Sequence, residues 1–307
     1  NHGHNHPRIL KTRIKFQKEE QIEVNKLTLS PYIAALGHNI SNLLDEKLNK
    51  SYFSNSGAEA NEGAIKMAYA SYKKKRRYIL SADDSFHGKL IATGSITGSL
   101  KHYDFPKMEN FEFFKYDDFE SLKNTVDSLK TEDGNCDVYA IILEPFIAQR
   151  VFGFSEEFIK KTRALCDEQN IRLIFDEVYC GWGKTGNLFA FLRYNYYPDI
   201  LTFSKSFGGG KSSISGFIAT DKVFKDAYGS KKTALMHTST YNGFGEECAT
   251  AIEAIKILLD ENLIDRASII HKTLHKSLNN LKNKYPNVIS GIRGLGCING
   301  VTFNSPL

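Results

Sequence analysis

Short, unbroken apolar runs that alternate with segments of helical period constrain this chain more than any other feature. Tyr139-Ala-Ile-Ile-Leu143, Ile171-Arg-Leu-Ile-Phe175, Ile200-Leu-Thr-Phe203 and Arg77-Tyr-Ile-Leu80 have strand length. The spacing of apolar residues predicts helices over Ala58–Lys74, Glu156–Gln169 and Glu246–Leu259, and another from about Asp265 to Tyr285 that stops at Pro286. Strands that are apolar throughout and separated by helices form a mostly parallel sheet covered on both faces, an α/β architecture. The 307 residues suffice for about two domains. A composition of 41% hydrophobic and 24% charged residues can fill such a core and is not that of a disordered chain. A net charge of +5, from 40 Lys+Arg against 35 Asp+Glu, is too small to imply a nucleic-acid partner. No apolar run approaches the ~18 residues of a membrane-spanning helix, so no membrane partner is expected.

The chain opens at Asn1 rather than Met and closes just after Cys297–Phe303, a run that reads as a strand. Both ends are therefore expected to be cuts from something longer, with residues from about 263 onward starting a smaller lobe that the chain does not complete. The cysteines at 136, 166, 180, 248 and 297 are odd in number, scattered and without a C-x-x-C pair. That pattern points to reduced thiols in a cytoplasmic setting rather than a disulfide framework or a zinc site.

In an open parallel sheet, ligands sit at the carboxyl ends of the strands. The residues there are Glu144-Pro145, Asp176-Glu177, Ser204-Lys205 and the Ser81–His87 loop. Two phosphate-loop lookalikes fail. Gly208-Gly-Gly-Lys-Ser212 has Lys205 where the first glycine belongs, and Gly183-Lys-Thr185 has Val178 there. His2, His4 and His6 suit a polar turn closed by Pro7 better than a metal cluster. Lys73–Arg77 reads as a solvated helix end whose cations complement the dipole. Ser54-Asn-Ser-Gly-Ala-Glu-Ala-Asn61 places potential caps before a helix-forming run, and serves either as simple capping or as a phosphate cradle with Gly57 at close approach. Asp176 and Lys205 follow two different strands, 29 residues apart. They suit an ion pair, or pyridoxal phosphate, which needs a carboxylate at its ring nitrogen, a Schiff-base lysine and a helix N-terminus for its phosphate.

The ordered set of motifs resembles the class III, or omega-type, aminotransferases, a fold-type-I family of pyridoxal-phosphate enzymes. The matching stretches are Ser54–Asn61, Ser85-Phe-His-Gly-Lys89, Leu143-Glu-Pro145, Phe175-Asp-Glu-Val178 with Gly181–Gly186, Pro198–Gly210 and His237–Gly243. Cys166-Asp-Glu, the run at 258–263 and Lys284-Tyr-Pro286 are similar to the putrescine and ornithine aminotransferase branch. The resemblance implies a large domain over 31–262, an N-terminal segment over 1–30 belonging to the small lobe or a dimer arm, and the start of an α+β small domain over 263–307. It implies that Lys205 carries the cofactor and then shuttles a proton as the neutral amine, while Asp176 holds the ring-nitrogen proton. Phe86 and Val178 take the two ring faces, and the Gly57 and Ala58 amides cradle the phosphate. Thr240 adds a hydroxyl from a neighbouring subunit, making a homodimer with shared sites. Ser56, His87, Glu144 and Tyr179 complete the implied cofactor set, and no metal is called for. The reaction implied moves an amino group from a primary amine or amino acid to a 2-oxo acid.

Three positions depart from the family pattern. Tyr179 stands where many relatives have Gln, Gln149 where a gating Glu is frequent, and Lys184 where Arg is frequent. The first alters the expected contact to the ring hydroxyl, and the second puts dual-substrate switching in doubt. On the same fold the cofactor set also serves mutases, racemases and decarboxylases, or one part of a larger multidomain enzyme. A non-catalytic binding module has no physical need for Asp176, Lys205 and Phe86 together.

Overall fold

The computed structural model describes residues 2–21, 23, 30–73 and 75–305. In chain order the helices are α1 (Pro7–Lys18), α2 (Pro31–Asn42), α3 (Gly57–Ala70), α4 (Ile91–Ser95), α5 (Phe119–Ser128), α6 (Glu156–Glu168), α7 (Asp221–Tyr228), α8 (Gly245–Asp260) and α9 (Leu263–Lys284). The strands are β1 (Lys50–Ser54), β2 (Tyr78–Ala82), β3 (Phe111–Phe114), β4 (Val138–Leu143), β5 (Phe146–Ile147), β6 (Phe152–Gly153), β7 (Arg172–Asp176), β8 (Ile200–Phe203), β9 (Ser215–Ala219), β10 (Ile289–Leu295) and β11 (Ile298–Phe303).

Seven strands form the central sheet in the order β1-β9-β8-β7-β4-β2-β3. β3, β2, β4, β7 and β8 run parallel to one another, whereas β9 is antiparallel to both β1 and β8. The mostly parallel sheet expected from the sequence is thus present, with one reversed strand that the apolar runs did not announce. Strand alternation divides the core in two. Ile142, Ile174 and Ile200 face α3 and α7, while Leu143, Phe175 and Phe203 face the layer that contains α2, α5, α6 and α8. Both faces are apolar because both are covered, which is why these strands read as continuous hydrophobic runs.

α1 is fastened to α8 by charge. Arg8 meets Glu253 at 2.6 Å and Asp260 at 2.8 Å, and Arg13 meets Glu246 at 2.9 Å. The His6 ring accepts from the Arg8 amide at 3.3 Å and so caps α1, with Pro7 at the first helical position, in keeping with the polar turn read from the sequence. The basic run at 73–77 behaves otherwise than expected. α3 ends at Ala70, before the run. Arg76 reaches across to the carbonyls of Gln169 and Asn170 at 3.0 and 3.1 Å. The guanidinium therefore complements the carboxyl end of α6, not that of its own helix. Lys74 lies outside the described residues.

α9 has the predicted helical period, yet among its described residues only Ala267 is buried. It leads into the antiparallel β10–β11 hairpin, whose turn reaches the large sheet's ligand edge: the Cys297 amide donates to the Lys184 carbonyl at 2.7 Å. No helix among the described residues is long and apolar enough to cross a membrane. The five cysteines are free, four buried and Cys297 exposed.

Candidate active site

The register of the parallel strands assembles the site. Leu143 pairs with Phe175, and Asp176 with Thr202, so Glu144, Asp176 and the Ser204-Lys205 step all emerge at one edge. The start of α3 faces them across a cavity of ≈ 280 Å³ lined by Gly57, Ala58, Phe86, Asp176, Val178 and Lys205, among others. This lies close to the ~300 Å³ lower bound for small-molecule sites. A larger cavity, ≈ 750 Å³, opens beside Glu62, Lys66, Tyr69, Tyr139 and His237. Neither Lys205 nor Asp176 lines it, and chemistry rather than size identifies the site.

Asp176 is buried and its carboxylate is held on both oxygens. Oδ2 is 2.8 Å from His87 Nδ1 and accepts from Asn61 Nδ2 at 2.7 Å, while Oδ1 accepts from the Val178 amide at 3.0 Å. Asn61 accepts in turn from the Thr202 hydroxyl at 2.6 Å. These bonds lock the carboxylate's orientation without an ion-paired lysine. The simple Asp176–Lys205 ion pair that the sequence also allowed is not formed.

Lys205 opens a short 3-10 turn directly after β8, with φ +52°, a left-handed conformation unusual for a side-chain-bearing residue. The turn is packed from behind. A Cβ on Gly209, at φ +61°, would come within 2.8 Å of Ile9 and 3.1 Å of Ala254, so α1 and α8 both press on it. Trp182 stacks on Phe207 with centroids 4.9 Å apart, tying the turn to the loop that carries Val178 and Tyr179.

Ser56 caps α3 in a capping box with Glu59, whose carboxylate accepts from the Asn55 and Ser56 amides at 2.7 and 2.9 Å. The Gly57 and Ala58 amides, in the first turn, have no intrahelical partner and point out of the helix end. Val178 comes so close that a Cβ on Gly57 would sit 2.4 Å from its Cγ1. Only glycine leaves the cradle open.

Glu144 is buried and accepts from the Phe86 amide at 2.8 Å, fixing the backbone of the aromatic residue. Burial, reinforced by the Asp176 charge, raises its carboxyl well above the usual range. Glu177, adjacent to Asp176, turns away from the cavity. Its oxygens accept from the Ala190 and Phe191 amides, each at 2.7 Å, and burial pushes it up to about 7.

A family profile described as Aminotransferase class-III matches residues 1–307. The chain belongs to that family. It is 33% identical over 308 residues to the putrescine aminotransferase of Pectobacterium atrosepticum, covering 99% of this chain and 64% of that one. It is 35% identical to the acetylornithine aminotransferase of Methanocaldococcus jannaschii, covering 98% of this chain and 73% of the relative. Among solved structures, the ornithine aminotransferase of Toxoplasma gondii, described with partial occupancy of PLP at its active site, superposes with a TM-score of 0.85 at 27% identity. That match covers 99% of this chain and 70% of the neighbour. The chain therefore spans roughly two thirds of the length of these class-III relatives.

Pyridoxal phosphate is the cofactor of class-III aminotransferases, and the residues present fit it. A carboxylate, a lysine and an unfilled helix N-terminus surround one cavity, with the Gly57 position kept open by the close approach of Val178. Of the residues read from the sequence, Gly57, Ala58, Phe86, His87, Glu144, Asp176, Val178, Tyr179 and Lys205 line it together. Ser56 stands behind it as the cap. Thr240 is exposed and is not among the lining residues of its own chain. Sequence reasoning assigned no role to Asn61 or Thr202. The available signal was a lone amide on an otherwise small and apolar helix face, but its partners come from other elements.

Proposed function

We propose that the protein is a pyridoxal-phosphate aminotransferase that moves an amino group from a primary amine or amino acid, of the diamine or ornithine-like class, to a 2-oxo acid. The observation that carries this is the adjacency of Asp176 and Lys205 at the ends of neighbouring parallel strands, facing the open start of α3.

Bound there, the cofactor supplies an electron sink for charge that develops on the substrate carbon. The Asp176 carboxylate, held by His87, Asn61 and the Val178 amide, would keep a proton on the ring nitrogen. The Gly57 and Ala58 amides, with the favourable end of the α3 dipole, hold the phosphate. Phe86 and Val178 would take the two ring faces, while Glu144 holds the Phe86 backbone and Ser56 caps the start of α3. The Lys205 amine, freed for the purpose, would take the proton from the substrate carbon, a role that its place on a rigid turn suits.

An exposed Thr240 outside its own cavity supports a homodimer in which the partner subunit's Thr240 reaches the phosphate. The division into an N-terminal segment (1–30), a cofactor domain (31–262) and the start of a smaller domain (263–307) is part of the same reading. It is supported by the shallow burial of α9. Free, mostly buried cysteines suit a cytoplasmic setting.

The test is the visible absorbance of the protein with added pyridoxal phosphate, before and after a diamine such as putrescine. A band that is absent in Lys205→Ala and bleaches with the amine is expected. A protein that takes up no cofactor overturns the reading, and a band that ignores amines and amino acids alike redirects it to a mutase-type reaction.

A further inference from the structure

One buried cation near the cavity has no part in the roles assigned so far. Lys184 lies in the loop after β7, its side chain almost wholly buried, and among the described residues it forms no salt bridge. Its Nζ donates to the Tyr179 carbonyl and lies 5.0 Å over the centroid of the Tyr179 ring. Lys205 Nζ also lies 5.0 Å over that ring. An aromatic face attracts an ammonium group, whereas two ammonium groups sharing one ring repel each other where water is scarce.

The lysine's main chain is clamped as well. Its carbonyl accepts from the Cys297 amide, and Gly296 packs so tightly that a Cβ there would lie 2.1 Å from the same carbonyl. The charged or titratable groups facing the ammonium are Cys180, Glu177 and Lys205. Burial lowers its pKa to about 8, with the Lys205 charge acting in the same direction. A buried ammonium without a carboxylate partner is costly, and an apolar side chain of similar length would fill the space without that cost.

We propose that Lys184 is a positioning residue for Lys205. By anchoring Tyr179 through both its carbonyl and its ring, and by repelling a second cation, it confines the Lys205 amine to the cavity side of the ring. The proposal rests on Lys205 being the cofactor-bearing lysine, but its geometry can be read without cofactor.

The experiment measures the rate at which an amine-reactive reagent modifies Lys205 in the cofactor-free protein, mapped by peptide mass, across pH 6 to 10. It compares wild type with Lys184→Met, Lys184→Arg, Tyr179→Ala and the Lys184→Met/Tyr179→Ala double variant. Lys184→Met should change the Lys205 rate by roughly two- to fivefold, the factor that one cation–π contact corresponds to. It should also alter the pH profile around 8, and Lys184→Arg should restore most of the rate. In the Tyr179→Ala background the Lys184→Met change should shrink to the part carried by direct repulsion between the two ammonium groups. An unchanged Lys205 rate and profile in Lys184→Met, whatever its melting temperature, overturns the proposal, as does an equal effect with and without the Tyr179 ring. If Lys184→Met does not fold, Tyr179→Ala alone must shift the Lys205 rate relative to other lysines, and a null result there is equally fatal. Loss of cofactor colour plays no part in this readout, so failure here is separable from failure of the aminotransferase assignment.

Discussion

Asn61 Nδ2 donates to Asp176 Oδ2 at 2.7 Å, while Asn61 Oδ1 accepts from the buried Thr202 hydroxyl. The amide links α3, the helix proposed to hold the phosphate, to β7, which carries the carboxylate, and β8, which leads into the lysine. Asn61→Leu keeps the branched shape but orphans the Thr202 hydroxyl and removes one partner of Asp176. We expect a loss of about 1–3 kcal/mol in urea unfolding of the cofactor-free protein. A weaker hold on pyridoxal phosphate should appear in a fluorescence titration.

Gly57 and Val178 form a second coupled pair. Gly57→Ala drives a methyl group into Val178 Cγ1, at 2.4 Å in the undistorted backbone. Overpacking of this kind costs about 1–3 kcal/mol. Because it falls on the cradle, it should raise the dissociation constant for pyridoxal phosphate by roughly tenfold or more, each tenfold being about 1.4 kcal/mol. Adding Val178→Ala should recover much of the loss. A double-mutant cycle that came out additive would show that the two residues do not meet.

Glu177 gives stability a pH slope. Its carboxyl rises from an ordinary 4.5 to about 7 on folding, because burial outweighs the two amide bonds it accepts. The folded protein then holds a proton that the unfolded chain has released, and stability falls as pH rises through that window. Glu144, also raised by burial, contributes with the same sign. Glu177→Gln should flatten the part of the slope between about 4.5 and 7 in urea midpoints measured at several pH values. It should also lower the whole curve, since a carboxamide offers only one oxygen to two amides.

His237 acts in the opposite sense. Its ring packs on Tyr52 at 4.3 Å and Phe217 at 5.9 Å, and burial, helped by the Lys66 charge, lowers it from 6.5 to about 4. The unfolded chain takes up the proton first, so stability is lost as pH falls from 6.5 towards 4. His237→Phe should remove this loss, read as a smaller shift in melting temperature between pH 7 and pH 5.

What could be read from the sequence was whatever rests on local pattern. β4, β7 and β8 stood out because both their faces are buried, and the start of α3 stood out because potential caps lie directly before its helix-forming run. β9 did not, since Ser215-Gly-Phe-Ile-Ala219 mixes small and polar residues. Its Gly216 is there because the Tyr52 carbonyl passes 2.5 Å from where a Cβ would be. Asp176 and Glu177 looked alike as neighbours after a strand, yet one faces the cavity and the other caps the turn at 190–193, a choice made by contacts far along the chain. Arg76 likewise sits beside one helix in sequence and serves another in space.

The support behind Lys205 has a consequence for the order of assembly. The turn is braced by Ile9 from α1 and Ala254 from α8, parts of the chain on either side of it and far apart in sequence. As the chain is synthesised, the strand carrying the lysine is complete long before residue 254 exists. Closing contacts of such long range is slow relative to forming helices and local turns. A nascent chain halted after β9 would thus hold the chemical groups of the site without the wedge that sets their positions, and competence to take up cofactor should arrive late, with α8.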